Sequence, residues 1–276
     1  QEEINNAISY IGEVGGGTVR LTNGTYDITS SCTMYSNVSI IGDGDGTILS
    51  HNSSSIMYVI SAIGTAGSYI KNISVSNISF DETDVNPGRY VSLQYTDGYG
   101  IEKVLVRNPL TESISVENSK NGVVINNKIM NLSSLNQSDA CIGIYFRNTV
   151  TSYSNIIQSN IVSDIKAQAL IVGIYSEDAV SKQGIMVVNN RVYNVQAATS
   201  GVAVGIQEYG LYNTISSNQI VGTKAPSGVA KGLYIASSTS TICSNNYCYN
   251  NGADTGLANT NRDNFFDEGA DTQWAG

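Results

Sequence analysis

Short apolar stretches, separated by polar residues and glycine, run along most of the chain. From Ile142 the sequence reads IGIYF, then NIIQS from Asn155, then IVSDI from Ile161. Isoleucine, valine and tyrosine dominate these stretches, and apolar residues alternate with polar or small ones, which is the pattern of half-buried strands. The next unit repeats the order with VGIYS from Val172 and RVYNV from Arg191. The pattern therefore predicts a repeating unit of three short strands.

Two residue types mark this unit along the chain. One marker is an asparagine between the second and third strands, at Asn127, Asn160, Asn190, Asn218 and Asn245, spaced 27 to 33 residues apart. The other is a glycine in the first strand, at Gly143, Gly173, Gly205 and Gly232. Markers that stay in phase predict a β-solenoid whose successive coils pair in parallel. We expect the asparagine amides to hydrogen-bond from coil to coil as a ladder, helped by the tolerance of asparagine for left-handed backbone angles.

The N-terminal segment departs from the strand pattern. In QEEINNAISYIG the apolar residues Ile4, Ala7, Ile8 and Ile11 follow helical spacing. An uncovered solenoid end would present open sheet edges to other chains. Residues 1–14 are therefore predicted to form a helix that caps the first coil.

The remainder of the chain is expected to belong to the same single domain, residues 1–276. The coils are assigned to residues 15–251. After Asn251 the period fades, so residues 252–276 are interpreted as a C-terminal cap or as the start of a region that the sequence lacks.

One long run of the sequence resembles a known superfamily. The segments AI…GGGTVRLTNGTYDI…SNVSIIGDGDGTIL, followed by asparagine-marked coils, look like the pectate-lyase-like superfamily. The resemblance implies an all-β fold, a right-handed single-stranded parallel β-helix with three strands per coil and an N-terminal capping helix. That superfamily includes polysaccharide lyases, glycoside hydrolases, epimerases, phage tailspikes and archaeal surface proteins. It implies a fold more specifically than an activity.

The resemblance also implies where a substrate would lie, which is across the first strand of each coil. Strict alternation in IGIYFR directs Ile142, Ile144 and Phe146 inward, and it directs Gly143, Tyr145 and Arg147 outward. The outward column through Tyr145 is then predicted to contain Ser115, Tyr145, Tyr175, Gln207 and Tyr234. Tyrosine rings stacked at about 4.8 Å per coil suit sugar rings. The alternative is a tyrosine ladder that only stabilises the sheet.

The adjacent outward column contains the candidate catalytic residues Glu117, Arg147 and Glu177, followed by Tyr209 as a binding residue. Two coil spacings separate the glutamate backbones by about 9.6 Å, near the range of about 6.5 to 9.5 Å for the acid and base of an inverting glycosidase. Arg147 would hold a carboxylate or hydroxyl group of the substrate. The alternative is an exposed charge ladder.

Three further acidic residues are assigned to the turns that flank these strands. They would replace the two glutamates as substrate contacts if the register were shifted by one or two residues. These residues are Asp139, Asp178 and Glu208.

The chain departs from the catalytic motifs of the superfamily. It has no Asp-Asp pair, no Gly-His-Gly run and no Asp-Pro-His-Glu run, and its one histidine, His51, is expected at the surface. No metal site is predicted, because no dense acidic cluster is present. Elimination from a uronate would need an arginine or lysine base, and Ca²⁺ is a possible cofactor if the protein is a lyase.

Charge and hydrophobicity limit the partners. The formal net charge of −9, from 14 basic and 23 acidic residues, disfavours binding to nucleic acid. No apolar stretch is long enough to span a membrane, and the N-terminus lacks a signal-peptide pattern. The four cysteines lack paired metal spacing, and Cys243 and Cys248 are the pair closest in sequence. A location outside the cell or at its surface is expected from the fold, with a virion as another possibility. A monomer and a homotrimer both stay open.

These observations predict an extracellular carbohydrate-active enzyme that depolymerises an acidic or amino-sugar-containing polysaccharide of a cell envelope or matrix. Hydrolysis is favoured over elimination. The alternative is a non-catalytic glycan-binding or structural β-solenoid, such as a surface protein, an adhesin or a virion spike module. Low charge density and the missing catalytic motifs favour this alternative.

Overall fold

The chain forms a right-handed parallel β-helix with one helix at its N-terminal end. The computed structural model describes residues 2–53, 57–82, 89–133, 140–149, 154–178, 184–198, 201–226, 228–236, 240–253, 265–267 and 273–275. Strands are numbered in chain order, and each coil contributes one strand to each of three parallel sheets. The predicted fold class is confirmed.

The strand that begins each coil belongs to sheet 1. Its strands are β3 (Cys32–Thr33), β6 (Tyr58–Ile63), β9 (Arg89–Gln94), β12 (Ile114–Glu117), β15 (Cys141–Asn148), β18 (Leu170–Asp178), β21 (Val202–Gly210), β25 (Val229–Ile235) and β29 (Phe265–Asp267).

The second strand of each coil belongs to sheet 2. Its strands are β1 (Gly17–Leu21), β4 (Val38–Gly42), β7 (Ile70–Ser76), β10 (Thr96–Glu102), β13 (Lys120–Ile125), β16 (Asn155–Gln158), β19 (Ile185–Val188), β22 (Thr214–Ser216), β26 (Ile242–Ser244) and β30 (Gln273–Ala275).

The third strand of each coil belongs to sheet 3. Its strands are β2 (Gly24–Ile28), β5 (Thr47–His51), β8 (Ser79–Glu82), β11 (Leu105–Arg107), β14 (Lys128–Met130), β17 (Ile161–Ala167), β20 (Arg191–Ala197), β23 (Gln219–Val221) and β27 (Tyr247–Tyr249), with β24 (Lys224–Ala225) and β28 (Gly252–Ala253) beside them.

Columns of branched aliphatic side chains fill the interior. Residues that pair across successive strands of sheet 1 repeat the same kind of side chain, and all of them are fully buried. One such column consists of Ile60, Val91, Ile114, Ile144, Ile174, Ile206 and Leu233. Each buried side chain of this size contributes about 1.5–3 kcal/mol relative to exposure. The core therefore holds the coils in register and fixes which residues reach the outer face.

The N-terminal helix α1 (Glu2–Glu13) covers the first coil as predicted. Ile4 and Ile8 are buried, and Ala7 and Ile11 pack against the same core. The side chain of Asn5 donates to the carbonyl of Ser31 at 3.2 Å. Sheet 1 is thus closed at this end by a helix rather than by another strand.

The predicted asparagine ladder is present, with two corrections. In a typical step, Oδ1 of Asn190 accepts from the backbone nitrogen and from Nδ2 of Asn160, both at 3.0 Å. The last member is Asn246 and not Asn245, because Oδ1 of Asn246 is the atom that Asn218 contacts. The left-handed backbone lies one residue earlier in each turn, for example at Asn189 with φ 55° and at Asn245 with φ 53°.

Strict alternation is wrong at the glycine marker of sheet 1. Ile142 pairs with Val172 and Ile144 pairs with Ile174, yet Ile142 packs outside the main core, against Tyr145. A Cβ on Gly143 would lie 2.7 Å from Cγ1 of the core residue Val162. Gly143 therefore points inward and Ile142 outward, because the strand bulges there. The glycine is required since its neighbouring coil approaches too closely for a side chain.

The structure also bears on the predictions for His51, for the two C-terminal cysteines and for the segment 252–276. His51 is fully buried, so the expectation that it lies at the surface is wrong. Cys243 and Cys248 form no disulfide bond with each other. Strands β29 and β30 pair with β25 and β26, so two short parts of the segment 252–276 continue sheets 1 and 2.

Candidate functional site

The two outward columns predicted on sheet 1 lie in the expected register. Ser115, Tyr145, Tyr175, Gln207 and Tyr234 pair successively across β12, β15, β18, β21 and β25. The second column runs Glu117, Arg147, Glu177 and Tyr209. The parallel register therefore places these side chains on one outer face, which we call the sheet 1 face.

The tyrosines of the sheet 1 face form a continuous aromatic stack. The ring centroids of Tyr145 and Tyr175 lie 5.3 Å apart with planes at 22°. Tyr209 follows at 5.7 Å from Tyr175, and Tyr234 lies at 6.3 Å from Tyr209. All four rings keep part of their surface accessible to solvent. The stack therefore presents a flat, partly apolar surface with hydroxyl groups along it.

A small apolar cluster outside the core supports this stack. Ile142, Val172 and Val204 are buried beneath the rings of Tyr145 and Tyr175. At the C-terminal end, Nζ of Lys231 lies 3.4 Å from the centroid of the Tyr234 ring. These contacts limit ring rotation, so the aromatic surface is ordered before any ligand binds.

Glu177 is bound by two neighbours. Its Oε2 lies 3.2 Å from Nε of Arg147 and accepts a hydrogen bond from the hydroxyl of Tyr175 at 2.9 Å. Burial, and then the hydrogen bond and charge of Glu177, raise the pKa of Tyr175 well above its usual value. The pKa of Arg147 is raised by its hydrogen bond with Tyr145, by the charge of the Tyr145 hydroxyl group, and by the charge of Glu177. The carboxylate of Glu177 is therefore held in place from two sides.

Glu117 has a different environment on the same column. Among the residues that the structure describes, its carboxylate makes no hydrogen bond or ion pair. Burial raises the pKa of Tyr145, Arg147 opposes that rise, and the charges of Glu117 and Glu112 add to it. Glu117 therefore lies close to the first ring of the aromatic stack.

Two charged residues of this face were missed by the sequence reasoning. Nε of Arg89 lies 3.3 Å from Oε2 of Glu112, and the Arg89 side chain also donates to the hydroxyl of Tyr58 at 2.8 Å. Burial raises the pKa of the Glu112 carboxyl, the Arg89 charge lowers it, and the Glu117 charge raises it, with a net rise. The sequence contained one signal for this pair. Val91 and Ile114 pair across sheet 1. Arg89 and Glu112 each lie two positions before them, so these two charged residues are also neighbours.

The three acidic residues that were assigned to flanking turns lie in different parts of the chain. Glu208 does not lie in a turn: it pairs with Ser176 and Ile235 on the inward side of sheet 1, is fully buried, and contacts Nδ2 of Asn213. Asp178 ends β18, and its side chain lies outside the described part of the structure. Asp139 lies outside the described residues altogether.

Gln207 is less available than its position in the tyrosine column suggests. It is only 8% exposed, and its Nε2 donates to the hydroxyl of Tyr209 at 2.9 Å. Its present contact orients a tyrosine, so a direct contact with a ligand would require this hydrogen bond to be exchanged.

A groove of about 550 Å³ lies away from the sheet 1 face. It follows the asparagine turns, where Ser159, Asn190 and Arg191 contribute to its lining. No charged pair of the sheet 1 face contributes to this groove. A ligand of the sheet 1 face would therefore bind apart from it.

Within the described ranges, no group of three or more histidine, cysteine, aspartate or glutamate side chains is arranged to hold a metal ion. Glu112 and Glu177 of the sheet 1 face are paired with Arg89 and Arg147, so these two carboxylates do not fit a Ca²⁺ site. None of the described helical structure has the length and hydrophobicity to span a bilayer.

Comparison with known proteins identifies similarity in structure and not in sequence. No protein-family model matches the chain, and no curated protein matches it. The ORF18 protein of Geobacillus virus E2 has a TM-score of 0.61 at 15% identity, over 100% of this chain and 58% of that one. The DFA-IIIase of Arthrobacter chlorophenolicus A6, solved without its lid in complex with GF2, has a TM-score of 0.68 at 13% identity, over 89% of this chain and 67% of that one.

The same enzyme in a second complex with GF2 gives a TM-score of 0.68 at 13% identity, over 89% of this chain and 63% of that one. The chain thus spans about three fifths to two thirds of the length of these proteins. Structural similarity at sequence identities this low is evidence of a shared fold only. Together with the three parallel sheets and the asparagine ladder, these similarities show that the chain has a right-handed parallel β-helix fold.

Proposed function

We propose that this protein is a glycan-cleaving β-helix protein that binds its polysaccharide along the sheet 1 face. The observation that carries the proposal is the stack of partly exposed tyrosines beside carboxylates and an arginine. Aromatic side chains on the outside of a solenoid gain little from the core. Their flat faces match the apolar faces of sugar rings, and their hydroxyls match the ring substituents.

The proposed chemistry is hydrolysis with the carboxylates of the second column. Glu117 is suited to activate a water molecule, because no described cation neutralises it. Arg147, which is 45% exposed, would hold a carboxylate or hydroxyl group of the sugar. Glu177 would contribute negative charge near the developing positive charge at the anomeric carbon. An acidic or amino-sugar polysaccharide fits a face that carries both signs of charge.

The compartment and the substrate class are supported by similarity in fold. DFA-IIIase is solved with GF2 bound, and the Geobacillus virus E2 protein is of viral origin. The viral likeness favours a virion protein, and action outside the cell on a glycan of an envelope or matrix is part of the same proposal. Elimination is the less favoured reaction, because Glu112 and Glu177 are paired with arginines and do not fit the Ca²⁺ site that a lyase often uses.

A non-catalytic glycan-binding module is the second candidate. The observation that favours it is the engagement of Glu177, whose carboxylate is held by both Arg147 and Tyr175. A carboxylate in two such contacts supports the ordered tyrosine surface without taking part in proton transfer. On this alternative, the sheet 1 face would bind oligosaccharides and leave them intact.

The test is to incubate the protein with acidic, amino-sugar and neutral envelope polysaccharides while reducing ends and absorbance near 235 nm are followed together. Binding of the same glycans is measured by calorimetry, and one arm contains EDTA. The variant Tyr145→Leu keeps apolar volume but removes the ring, and the loss of one stacking contact worth about 1 kcal/mol should weaken binding about fivefold. Tyr10→Leu on α1, where Tyr10 is 64% exposed, is the matched control.

Reducing ends without absorbance would support hydrolysis, whereas both signals together, lost in EDTA, would support elimination. Binding without cleavage would support the glycan-binding module. No binding and no cleavage across the panel, or equal effects of the two tyrosine variants, would contradict the assignment of the sheet 1 face.

A further inference from the structure

The sheet 1 face changes character abruptly along the solenoid axis. The column that contains Tyr145 and Tyr175 holds Ser61, Ser92 and Ser115 in the three preceding coils. A serine side chain is several atoms shorter than a tyrosine side chain. The ring of Tyr145 therefore forms a wall, and the serines form a floor beside it. We call this feature the serine step.

The floor of the serine step contains an unused hydroxyl group. Ser115 is 2% exposed, and its Oγ has no hydrogen-bond partner in the part of the chain that the structure describes. Ser115 pairs directly with Tyr145, so it faces the same side of the sheet. A buried hydroxyl without a partner costs free energy. A ligand hydroxyl or a water at the serine step would remove that cost.

Charged residues border the serine step on both sides. Arg89 and Glu112 form an ion pair at one end of these strands. Glu117 and Arg147 pair in register at the other end. The charges of Glu112 and Glu117 both act on the hydroxyl of Tyr145 and on each other. Glu112 and Glu117 therefore lie on either side of Ser115 along the chain, and Ser115 pairs with Tyr145.

Glu112 has the environment that a catalytic acid requires. The Glu112 side chain is 17% exposed, and burial together with the nearby negative charge of Glu117 raises its pKa. A carboxyl group in such an environment retains its proton at higher pH than an ordinary glutamate. Glu177, in contrast, is already bound by the side chains of Arg147 and Tyr175.

We propose that the serine step is the cleavage subsite, with Glu112 as the catalytic acid, Glu117 as the catalytic base and Tyr145 as the wall against which the sugar ring packs. This inference rests on the proposed function and adds Glu112 as its proton donor. Glu177 then serves to position Arg147 and Tyr175. The substrate class that fits is a hexose polymer whose hydroxyl groups satisfy Ser115.

The reaction consumes one water molecule. The Glu112 carboxyl gives its proton to the glycosidic oxygen as the bond between that oxygen and the anomeric carbon breaks, and the bonding electron pair goes to the oxygen. Glu117 takes a proton from the water, whose oxygen bonds to the anomeric carbon. The products are two shortened glycans, a Glu112 carboxylate and a Glu117 carboxyl group. Proton exchange with solvent restores the starting state.

Arg89 positions Glu112 in this scheme. The ion pair at 3.3 Å and the hydrogen bond from Arg89 to Tyr58 hold the carboxyl at the edge of the serine step. The pair also keeps the pKa of Glu112 from rising as far as burial alone would take it. A glutamine at position 112 would keep the shape and lose the proton.

The experiment compares Glu112→Gln with Glu112→Asp on a glycan that the parent protein cleaves. Glu112→Gln should lower kcat at least 100-fold while Kd for the oligosaccharide changes less than threefold, because general acid catalysis contributes about 10² to 10⁴. The residual rate of Glu112→Gln should not fall at alkaline pH as the rate of the parent protein does, because the carboxyl group whose deprotonation causes that fall is absent. Glu112→Asp should recover part of kcat and shift that decline. Glu102→Gln on sheet 2, in an exposed pair with Lys103, is the matched control.

A second variant tests the subsite without removing a charge. Ser115→Tyr extends the aromatic stack by one coil and fills the serine step, so cleavage should fall at least 100-fold. If Glu112→Gln misfolds because Arg89 loses its partner, Arg89→Gln/Glu112→Gln removes both charges and should show the same loss of kcat.

The outcomes separate this inference from the proposed function. A parent that cleaves, with Glu112→Gln or Ser115→Tyr as active as the control, overturns the serine step and leaves the proposed function intact. A parent that binds glycans without cleaving them overturns the assignment of Glu112. A parent that neither binds nor cleaves removes the proposed function and the inference with it.

Discussion

At the scale of single residues, Glu177 controls the ionisation of the tyrosine beside it. The hydroxyl of Tyr175 donates to Oε2 of Glu177 at 2.9 Å, and burial and this carboxylate together raise the tyrosine pKa. Glu177→Gln removes the negative charge but keeps a hydrogen-bond acceptor. The pKa of Tyr175 should therefore fall, while burial keeps it above the ordinary value. Titration of ¹³Cζ-labelled tyrosine by NMR, with Tyr175→Phe for assignment, measures the change.

Stability should respond much less than ionisation to this substitution. Arg147 is 45% exposed, so the loss of its ion pair with Glu177 should cost only about 0–1 kcal/mol of unfolding free energy. Glu102→Gln, remote from the tyrosines, should leave the Tyr175 titration unchanged. An unaltered pKa of Tyr175 in Glu177→Gln would show that the carboxylate is not its acceptor in solution.

The outer columns could be predicted from the sequence because each coil repeats the same strand. Tyr145 and Arg147 lie on either side of the buried residue Phe146. The markers set the register between coils, which pairs Arg147 with Glu177. The bulge at Gly143 could not be foreseen, because it arises from contact with Val162 in another sheet. Glu208 was misplaced for a related reason: alternation puts it inward, and acidic residues are rarely assigned to a core.

Glu112 shows a different limit of sequence reasoning. It lies before the start of β12 and outside the recognisable strand pattern. Its significance depends on Arg89, which is distant in sequence but adjacent in the preceding coil. Only the register between β9 and β12 brings the two charges together. A charged pair of this kind becomes visible once all coils, including those without a glycine marker, are aligned.

At the scale of secondary-structure elements, the asparagine ladder joins sheets 2 and 3 at every turn from Asn127 to Asn246. Asn190 illustrates its role. Its Oδ1 accepts from the backbone and side chain of Asn160, and its Nδ2 donates to the carbonyl of Ile157 at 2.9 Å. All these atoms are buried. Each ladder residue therefore satisfies backbone groups that the turn leaves outside the sheets.

Asn190→Ala should destabilise the protein by about 2–5 kcal/mol, because it leaves a buried N–H of Asn160 and a buried carbonyl of Ile157 without partners. Denaturant unfolding followed by circular dichroism measures the difference. Gln219→Ala, an exposed change beside the same turn, should have an effect within about 0.5 kcal/mol. Equal stability of the two variants would mean that water replaces the ladder amide.

At the scale of the whole molecule, the fold is a stack in which each coil depends on its neighbours. Parallel pairing leaves the backbone groups of the first strands β1, β2 and β3 facing the end of the solenoid. Helix α1 covers this end and contacts β1, β3 and β4. Ile8 is fully buried there, whereas Tyr10 on the same helix is 64% exposed. The cap therefore protects a sheet edge and completes the core of the first coil.

Ile8→Asp should detach this cap, because it removes about 2 kcal/mol of apolar burial and would place a charge in the core. The uncapped edge should then pair with other molecules, so the variant should elute as larger species in light-scattering chromatography as its concentration rises. Tyr10→Asp introduces the same charge on the exposed side and should keep the elution of the parent. The tyrosines of the sheet 1 face lie several coils from α1, so Ile8→Asp should retain glycan binding at low concentration. If Ile8→Asp lost glycan binding while Tyr10→Asp retained it, the coils would unfold together as one unit and not from the uncapped end.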